Sequence, residues 1–435
     1  MKCCVIIPVG PGHKELSQRV IHSIEQAIAS GIGPFSEVEI LPQDDTLGLG
    51  RSRARNLGVI AAGKRGADWI FFIDADELMA PNAFNEVAPL LDEYDAIWGA
   101  IYEANLATQE ATRRNGDIAP IASLDQLLLN HPFLTLHNGH FVRYQIALEH
   151  PFNTEMDCGE DFEYYLRVWR DSRCIKIERP LFFNVRGQHS TGPRAATGKD
   201  WNDAMPQVFT SFCLQNDVVA HVPLGEVTAH LRLSNTLDPI QNQLANERLV
   251  EAGELEELIQ RLPDNGSVLD IGAHIGSHSI CLALLGKAAK IDAFEKDRVS
   301  STLLEYNLRL NNLGEDTYHV HRLEVGYPQT LTENTDKFGR IELDKLISPS
   351  ADTTLDLVLP DSKYDLIRVS LESPALDVLQ GAAQIIERCR PLLLIKTANG
   401  SQQELLEQWL VKNGYEKERS FDHGAYSNHL LAPSN

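Results

Sequence analysis

The sequence predicts an α/β protein of two domains, and three observations support this. The chain has 435 residues, more than one hydrophobic core usually supports. Short apolar runs alternate with segments of helical period, which is typical of sheets covered by helices. After a change of pattern near residues 200–215, a second strand–turn–helix series begins at Ser267. We place the domain boundary between residues 211 and 212, giving domains 1–211 and 212–435. No internal repeat is visible.

The N-terminal part begins with a strand–helix–strand–helix–strand pattern. The first helix carries its apolar residues on one face, from Leu16 to Ile28. The third strand is apolar throughout, which is typical of a strand buried on both faces of a sheet. The predicted elements are strands at Cys3–Val9, Val38–Leu41 and Trp69–Ile73 and a second helix at Ser52–Ala62. This order predicts a Rossmann-like sheet.

The C-terminal part begins with two alternating stretches, Asp217–Val222 and Glu226–Leu233, which predict a hairpin. A segment rich in Glu and Leu, Asn246–Arg261, predicts a helix. A buried strand at Ser267–Ile271 then runs into a glycine turn. This part therefore predicts a second Rossmann-like domain.

Composition and charge restrict the class of protein. Hydrophobic residues make up 43% of the chain and charged residues 23%, as in ordinary globular proteins. The net charge of −22 repels a phosphate backbone, so we expect no nucleic-acid partner. No apolar run approaches the roughly 20 residues that span a bilayer, so we expect at most peripheral membrane contact. The seven cysteines form no Cys-x-x-Cys pair, which favours a reducing, cytoplasmic location.

The first candidate site is Asp74-Ala75-Asp76, which directly follows the third strand. Ligands of open α/β sheets bind at the carboxyl ends of the strands, so both carboxylates are expected at the binding edge. Carboxylate oxygens are the ligands that Mg²⁺ and Mn²⁺ prefer when they bridge phosphates. The motif therefore predicts a divalent-metal site for a nucleotide.

Residues 1 to about 211 resemble family 2 glycosyltransferases with the GT-A fold. Five further elements carry the resemblance in the order of that family: Val5-Ile6-Ile7-Pro8, Asp44-Asp45, the segment Gly50–Gly58, Gly159-Glu160-Asp161-Phe162 and Arg186-Gly187-Gln188-His189-Ser190. The chain departs from the family at Asp44-Asp45-Thr46-Leu47-Gly48, where Asp-Asp-Gly-Ser-x-Asp is usual.

The resemblance implies an inverting sugar transfer from a nucleotide-sugar to a glycan or glycolipid hydroxyl. It implies that Asp161 is the general base and that Mn²⁺ or Mg²⁺ is held by Asp74, Asp76 and His189. Residues expected to contact the donor are Asp45, Arg51, Arg53, Asn56 and Asp74. The arginines among them offer charge-assisted hydrogen bonds to phosphate.

The second candidate site follows the strand Ser267–Ile271, where Gly272 and Gly276 form a glycine turn before a helix. The next strand ends in Ala293-Phe294-Glu295, which places an acid about 20 residues beyond the glycines, where a ribose hydroxyl is expected. This spacing predicts nucleoside binding but does not separate NAD from S-adenosylmethionine.

Residues from about 212 to the end resemble the FkbM-type methyltransferases, a class I methyltransferase family. The resemblance rests on Asp270–Ser279, Ala293–Asp297, Asn307 with Asn311, and Ile341–Asp344. It implies that S-adenosylmethionine is bound, with Gly272 and Gly276 under its methionine part and Glu295 on its ribose. By the same motifs Asp270, His274 and Asn307 are expected to line the cofactor site.

The catalytic end of this domain departs from the family. Where Lys-Ile-Asp-x-Glu-Gly is usual, the chain reads Arg368-Val369-Ser370-Leu371-Glu372-Ser373, so Glu372 alone is expected to be catalytic. Serine cannot remove a proton as aspartate does. Three hypotheses therefore remain: a glycosyltransferase that also O-methylates a sugar, a glycosyltransferase with an inert methyltransferase-like scaffold, and a non-enzymatic protein that binds nucleotide ligands.

Overall fold

The computed structural model describes residues 1–185, 198–326, 353–371, 375–398 and 401–434. It divides into two compact units, each with its own hydrophobic core. The fold class predicted from the sequence is confirmed, because both units are α/β and both contain a Rossmann-like sheet.

The first unit opens with the predicted alternation of strands and helices. Its strands are β1 (Lys2–Val9), β2 (Glu37–Asp44), β3 (Trp69–Phe72), β4 (Leu78–Met79), β5 (Ala96–Trp98), β6 (Tyr102–Asn105), β7 (Glu110–Arg113), β8 (His140–Arg143), β9 (Cys174–Lys176) and β10 (Phe182–Val185). Its helices are α1 (Lys14–Ser30), α2 (Arg51–Lys64), α3 (Ala83–Val87), α4 (Leu124–Leu128), α5 (Pro132–Thr135), α6 (Tyr144–Glu149), α7 (Glu160–Asp171) and α8 (Lys199–Gln215), with a 3₁₀ turn at Ala88–Leu90.

The main sheet of this unit places the first candidate site at its edge. Within the described residues its strand order is β2-β1-β3-β8-β5-β9. Strands β2 and β3 both pair parallel with β1, so their carboxyl ends lie at the same edge of the sheet. Asp45 and Asp74 lie just beyond those ends. A smaller sheet of order β4-β10-β6-β7 follows.

The core of the first unit is built on β1 and β3, whose side chains are almost entirely buried. Three phenylalanines form its centre: Phe141 stacks on Phe35 and packs at an angle against Phe71. Burial on both faces explains why these strands are apolar throughout rather than alternating. This core fixes the strand end that carries Asp74.

The second unit contains the hairpin and the second sheet. Its strands are β11 (Val219–Leu224), β12 (Val227–Arg232), β13 (Gly266–Ile271), β14 (Ala288–Phe294), β15 (Tyr318–His321), β16 (Leu366–Val369), β17 (Leu392–Ala398), β18 (Tyr415–Asp422) and β19 (Tyr426–Pro433). Its helices are α9 (Pro239–Ala245), α10 (Ala252–Arg261), α11 (Ser277–Leu284), α12 (Arg298–Leu310), α13 (Leu355–Val358), α14 (Ala375–Gly381), α15 (Ala383–Cys389) and α16 (Ser401–Asn413).

The second sheet has the order β15-β14-β13-β16-β17-β19-β18 within the described residues. The first five of these strands are parallel, and β19 runs antiparallel to both β17 and β18. The order reverses direction at β13, which is the point where ligands of doubly wound sheets bind. The predicted glycine turn directly follows β13.

The chain passes between the units more than once. The first unit comprises Met1–Asn216 and Asn235–Leu237, and the second comprises Asp217–Ser234 and Asp238–Asn435. The predicted boundary at residues 211 and 212 falls inside α8, because this helix continues to Gln215 without a break. The structural division therefore comes five residues later than the sequence pattern indicated.

The predicted helix at Asn246–Arg261 was wrong at its start. Glu247 and Glu251 have positive φ angles of 59° and 53°, and α10 begins only at Ala252. A left-handed backbone cannot continue a right-handed helix, so the segment before Ala252 is irregular. Among the described residues, no helix is long and apolar enough to cross a membrane.

Candidate functional sites

The first site is organised by a buried arginine. Arg55 lies on α2 with only 1% of its surface exposed, and its Nη2 is 2.7 Å from Oδ1 of Asp74. Its Nη1 lies 3.4 Å from Oε1 of Glu160, the first residue of α7. A buried guanidinium requires such carboxylate partners, because an unpaired buried charge is strongly unfavourable. Arg55 therefore joins the strand-end motif to the Glu160-Asp161 element.

Arg51 approaches the same glutamate from the surface. Its Nη2 donates to Oε2 of Glu160 at 2.9 Å, and its Nε pairs with Oε1 of that carboxylate. Burial by itself lowers the pKa of Arg51, but the charges of Glu160, Asp161 and Asp74 raise it. The structure thus gathers three segments that the sequence predicted separately, namely 51–55, 74–76 and 160–161.

The carboxyl groups of the Asp-x-Asp motif are partly exposed at this edge. Burial tends to raise the pKa of Asp74, but Arg55 and Arg51 outweigh it and lower that pKa, so the carboxylate is ionised. Arg55 engages only one of its two oxygens. Asp76 is partly buried two residues further on. Two acids in this position offer the hard oxygen ligands that Mg²⁺ and Mn²⁺ prefer.

The fit of a metal rests on this donor set. The described part of the chain contains no group of three or more His, Cys, Asp or Glu side chains arranged to hold a metal ion. His189, the predicted third ligand, lies outside the described residues. Asp74 and Asp76 fit a divalent ion by their chemistry, and the complete ligand set stays a prediction.

Asp45 and Asn56, two of the residues predicted to contact the nucleotide-sugar, form hydrogen bonds within the protein. The carboxylate of Asp45 accepts hydrogen bonds from the backbone of Leu49 (2.7 Å) and Gly50 (3.1 Å), and so shapes the turn before α2. The amide of Asn56 exchanges two hydrogen bonds of 2.9 Å with the backbone of Phe152. Arg53 is exposed on α2. Their contacts with a donor stay predictions.

Asp161, the predicted base, lies in the first turn of α7. Its Oδ1 accepts a hydrogen bond of 2.8 Å from the backbone of Phe162, and its side chain is partly buried. The helix begins after Gly159, whose φ of 80° is favourable for glycine. An acid in the first turn also interacts favourably with the helix dipole, which is a structural reason for an acid at this position.

A second buried pair beside the motif was missed by sequence reasoning. Nδ1 of His137 lies 3.1 Å from Oε1 of Glu77, and Glu77 is 2% exposed. Burial raises the pKa of Glu77. Burial alone would lower the pKa of His137, but the Glu77 carboxylate outweighs burial and raises that pKa. Asn184 donates to Glu77 at 3.4 Å. Only the position of Glu77 next to Asp76 could have signalled this group.

The second site is formed by the turn after β13. Gly272 has a φ of 76°, and a Cβ atom there would lie 2.5 Å from the carbonyl oxygen of Ser370. Gly276 has a φ of 92°, and its Cβ would lie 2.5 Å from a methyl carbon of Leu304. Both positions therefore require glycine. The two glycines let the turn pack closely against Ser370 and against Leu304 of α12, at the sheet edge where Rossmann-like folds bind their ligands.

Glu295 holds this turn in place. Its Oε2 accepts from the backbone N–H of His274 at 2.9 Å, and its Oε1 accepts from that of Asp297 at 2.9 Å. His274 itself has a positive φ of 53°. The acid predicted to bind a ribose thus lies against the glycine turn, at the carboxyl end of β14. This arrangement fits a nucleoside cofactor such as S-adenosylmethionine.

Asp270 and Asn307 are both buried. Oδ1 of Asp270 accepts from Arg368 at 2.9 Å and Oδ2 accepts from Ser279 at 2.6 Å. The Asn307 amide accepts from the backbone N–H of Arg232 at 2.7 Å and donates to the Ile275 carbonyl at 3.0 Å. The observed partners of both side chains are protein groups. Their predicted cofactor contacts stay predictions.

The predicted catalytic residue Glu372 lies outside the described residues, as does Ile341–Asp344. Ser370 is described and follows β16, with its backbone N–H donating to the Ile271 carbonyl at 2.8 Å. Ser370, the position where the FkbM-type pattern has aspartate, therefore lies directly beside the glycine turn.

Comparison with known protein families finds a match, which lies in the first unit. The model of glycosyl transferase family 2 matches residues 25–152, which include Asp45, Arg51, Arg55 and the Asp74-Ala75-Asp76 motif. The match begins inside α1 and ends before Glu160. No curated protein matches the chain.

Several solved structures are similar to parts of this chain at low sequence identity. TarS 1-349 of S. aureus in complex with UDP-GlcNAc shares 14% identity, with 50% of this chain and 68% of that chain covered and a TM-score of 0.37. Ribosomal protein L11 methylase from Lactobacillus delbrueckii subsp. bulgaricus shares 18% identity over 42% of this chain and 77% of that chain, with a TM-score of 0.30. Sp1610 of Streptococcus pneumoniae, a putative tRNA (m1A22) methyltransferase, shares 14% identity over 42% and 70%, with a TM-score of 0.28.

Proposed function

We propose that this chain modifies glycans with both units: the first transfers a sugar from a nucleotide-sugar to an acceptor hydroxyl, and the second O-methylates a sugar with S-adenosylmethionine. The observation that carries the first part is the cluster of Arg51, Arg55, Asp74 and Glu160. It brings together the cations and the strand-end acids, which lie in the part that matches family 2, and the Glu160-Asp161 element that follows that part.

Each group of this cluster has a proposed task. Asp76, with Asp74 and His189, would hold Mn²⁺ or Mg²⁺, which when bound offsets the charge of the diphosphate leaving group. Arg55 keeps Asp74 ionised and oriented. Arg51, with the exposed Arg53, offers guanidinium groups to phosphate. Asp161 accepts the proton of the acceptor hydroxyl, which attacks the face of the sugar opposite the diphosphate and so inverts the anomeric carbon.

The second activity is supported by the glycine turn and its acid. Gly272 and Gly276 allow the turn after β13 to form, and Glu295 lies against it. The alternative that this unit is an inert scaffold is favoured by Ser370, which replaces the usual aspartate. Binding of cofactor without methyl transfer would select the scaffold hypothesis.

The first activity is tested by a screen of nucleotide-sugars. Ligand binding to the folded state raises the melting temperature, so donors are first selected by thermal shift with Mn²⁺. Transfer or hydrolysis is then measured for wild type and Asp76→Ala, with and without a chelator. We expect activity to be lost in Asp76→Ala and in wild type treated with the chelator. Asp92→Ala, which changes an exposed acid of the same unit, should keep its activity without the chelator. Activity that persists in Asp76→Ala or without metal would overturn the proposal.

The second activity is tested by calorimetric titration with S-adenosylmethionine. We expect saturable binding by wild type and weakened binding by Glu295→Gln, because the amide cannot accept the two backbone hydrogen bonds as the carboxylate does. Absence of binding at millimolar cofactor would remove the methyltransferase hypothesis and leave the first activity unaffected.

A further inference from the structure

A cavity of about 360 Å³ lies at the carboxyl edge of the second sheet and is lined by residues other than those of the glycine turn. Its lining includes Glu251 and Glu254 from the start of α10 and Phe421, His423 and Tyr426 from the β18–β19 hairpin. Tyr426 pairs with Ala398, the last residue of the parallel strand β17. The cavity therefore opens on the edge where open α/β sheets bind their ligands.

The most notable group in this cavity is a histidine oriented by a buried acid. Nε2 of His423 lies 2.6 Å from Oε1 of Glu254, and that oxygen also accepts from Asn428 at 2.8 Å. Glu254 is 2% exposed, whereas 30% of the His423 side chain is exposed. A carboxylate that accepts from one ring nitrogen fixes the tautomer and leaves the other nitrogen as a proton acceptor. Nδ1 of His423 thus has the chemistry of a general base.

The cavity is joined to the strand that carries the glycine turn. The Tyr426 hydroxyl donates to Oε1 of Glu251 at 3.2 Å, and Oε2 of Glu251 accepts from Arg368 at 3.1 Å. Arg368 in turn donates to Asp270 on β13. Glu251 holds a left-handed backbone, with φ of 53°, a strained conformation that concentrates at functional sites.

The lining suits a hydroxylated ring. The carboxylates of the two lining glutamates already accept from protein groups. The acceptors that face a ligand are therefore Nδ1 of His423, the oxygen of the Tyr426 hydroxyl and the exposed carboxylate of Asp422. The rings of His423 and Tyr426 stack at 4.8 Å with an angle of 24°, and Phe421 adds apolar surface nearby. Ligand pockets commonly combine such apolar walls with a few polar groups that fix orientation. A sugar ring matches both requirements.

We propose that this cavity is the acceptor site of the second unit, that it takes a sugar with a free hydroxyl, and that Nδ1 of His423 accepts the hydroxyl proton. The inference rests on the methyl transfer proposed above. The acceptor oxygen loses its proton to His423 and forms a bond to the methyl carbon. The carbon–sulfur bond of the donor breaks, and its electron pair stays on sulfur as a neutral thioether. His423 thereby supplies the base that Ser370 cannot.

The first test measures binding alone, with the full chain. Methyl α-D-glucopyranoside, methyl α-D-galactopyranoside and methyl α-L-rhamnopyranoside are tested at millimolar concentration by saturation-transfer NMR. We expect at least one to bind, and its affinity to fall about tenfold in His423→Ala, which corresponds to one lost hydrogen bond. His221→Ala, an exposed histidine on β11, serves as the matched control and should bind as wild type. If no glycoside binds, or if His423→Ala binds equally well, the acceptor site is overturned.

The second test measures transfer of a labelled methyl group from S-adenosylmethionine to the bound glycoside. We expect His423→Ala to lower the rate about 100-fold, as for loss of a general base, and added imidazole to restore part of it. Affinity for S-adenosylmethionine is measured separately and should not change. Equal rates in His423→Ala and wild type would overturn the role of His423 and leave the proposed activity standing. Wild type that binds a glycoside but transfers no methyl would also overturn that role, and failure to bind S-adenosylmethionine would overturn both proposals.

Discussion

Arg55 and Asp74 form an ion pair of 2.7 Å in which the guanidinium is almost completely buried and the carboxylate faces the site. The side chain of Asp74 is 27% exposed, so only part of it is enclosed by protein. The position of the Asp-x-Asp motif is thus set by the buried Arg55 guanidinium, and Glu160 binds the other side of the same guanidinium. A substitution of Arg55 should therefore lower both the stability of the protein and its affinity for the nucleotide-sugar.

Arg55→Ala is expected to lower the free energy of unfolding by about 3–5 kcal/mol, because it leaves the buried charge of Glu160 without one of its partners and Asp74 without its cation. Chemical denaturation of the full chain measures the change. Arg53→Ala is the matched control on the same helix. Since Arg53 is exposed, its removal should change stability by no more than about 0.5 kcal/mol while weakening donor binding. Equal stability of the two variants would contradict the structural role of Arg55.

Gly272→Ala should abolish binding of S-adenosylmethionine. The new methyl would lie 2.5 Å from a backbone carbonyl oxygen, which cannot move as a flexible side chain can. Gly286→Ala is the matched control. Gly286 has a similar φ of 72°, so the substitution introduces the same backbone strain, but no atom lies within 4 Å of the added Cβ, so it introduces no clash. We expect Gly286→Ala to cost about 1–2 kcal/mol and to leave cofactor affinity unchanged. Calorimetric titration of both variants checks the difference.

The second unit should lose stability as the pH falls below about 6.5. Burial, and next the charge of Arg368, lower the pKa of His278 from 6.5 to about 4. Between these values the unfolded chain binds the proton and the folded chain does not, so stability is complete above pH 6.5 and falls on acidification. The contribution is about 1.4 kcal/mol per pH unit.

His278→Gln should remove this part of the pH dependence. Hydrogen exchange of the β13 amides, measured between pH 4 and 6.5, follows the second unit specifically. Arg368 and then His278 outweigh the burial of Glu251 and lower its pKa from 4.5 to about 2. The stabilisation from Glu251 is therefore lost as the pH falls from 4.5 towards 2, and the slope between pH 4.5 and 6.5 reports His278. An unchanged slope in His278→Gln would show that His278 is not the titrating group.

Asn307→Ala should destabilise the second unit by about 1–3 kcal/mol, because it leaves buried backbone groups of Arg232 and Ile275 without their hydrogen-bond partner. Arg309→Ala, on the exposed face of the same helix, should change stability by about 0.5 kcal/mol or less. Hydrogen exchange should also increase at Arg232, where β12 ends. If exchange there stays the same, Asn307 does not hold this strand.

The sequence was most informative where burial dictates composition. Strands β1 and β3 are enclosed on both faces, so their apolar runs specified both their extent and the position of Asp74 at a strand end. The glycine turn was equally readable, because Gly272 and Gly276 occupy positions that no side chain can fill. In both cases the surroundings of a few neighbouring residues determine which residue types can stand there.

The partners of the site residues could not be read from the sequence. Arg55 and Glu160 are 105 positions apart, and His423 and Glu254 are 169 apart, so no spacing rule connects them. The hydrogen bond between the Asn307 amide and the backbone of Arg232 in the hairpin joins positions 75 apart and was likewise not predicted. The start of α10 was misplaced because glutamate favours helices in general, while Glu247 and Glu251 take left-handed conformations here.

The assignment of Asn235–Leu237 to the first unit has a practical consequence for dissecting this protein. Asn235 donates to the carbonyl of Pro206 at 3.2 Å, and Thr236 is 1% exposed, so this short segment is part of the packing around α8. A fragment that stops at Asn216 would lack it, and a fragment that begins at Asp217 would carry it without its partner. A single cut therefore separates neither unit with all of its residues, and point variants in the intact chain are the suitable way to assay the two proposed activities separately.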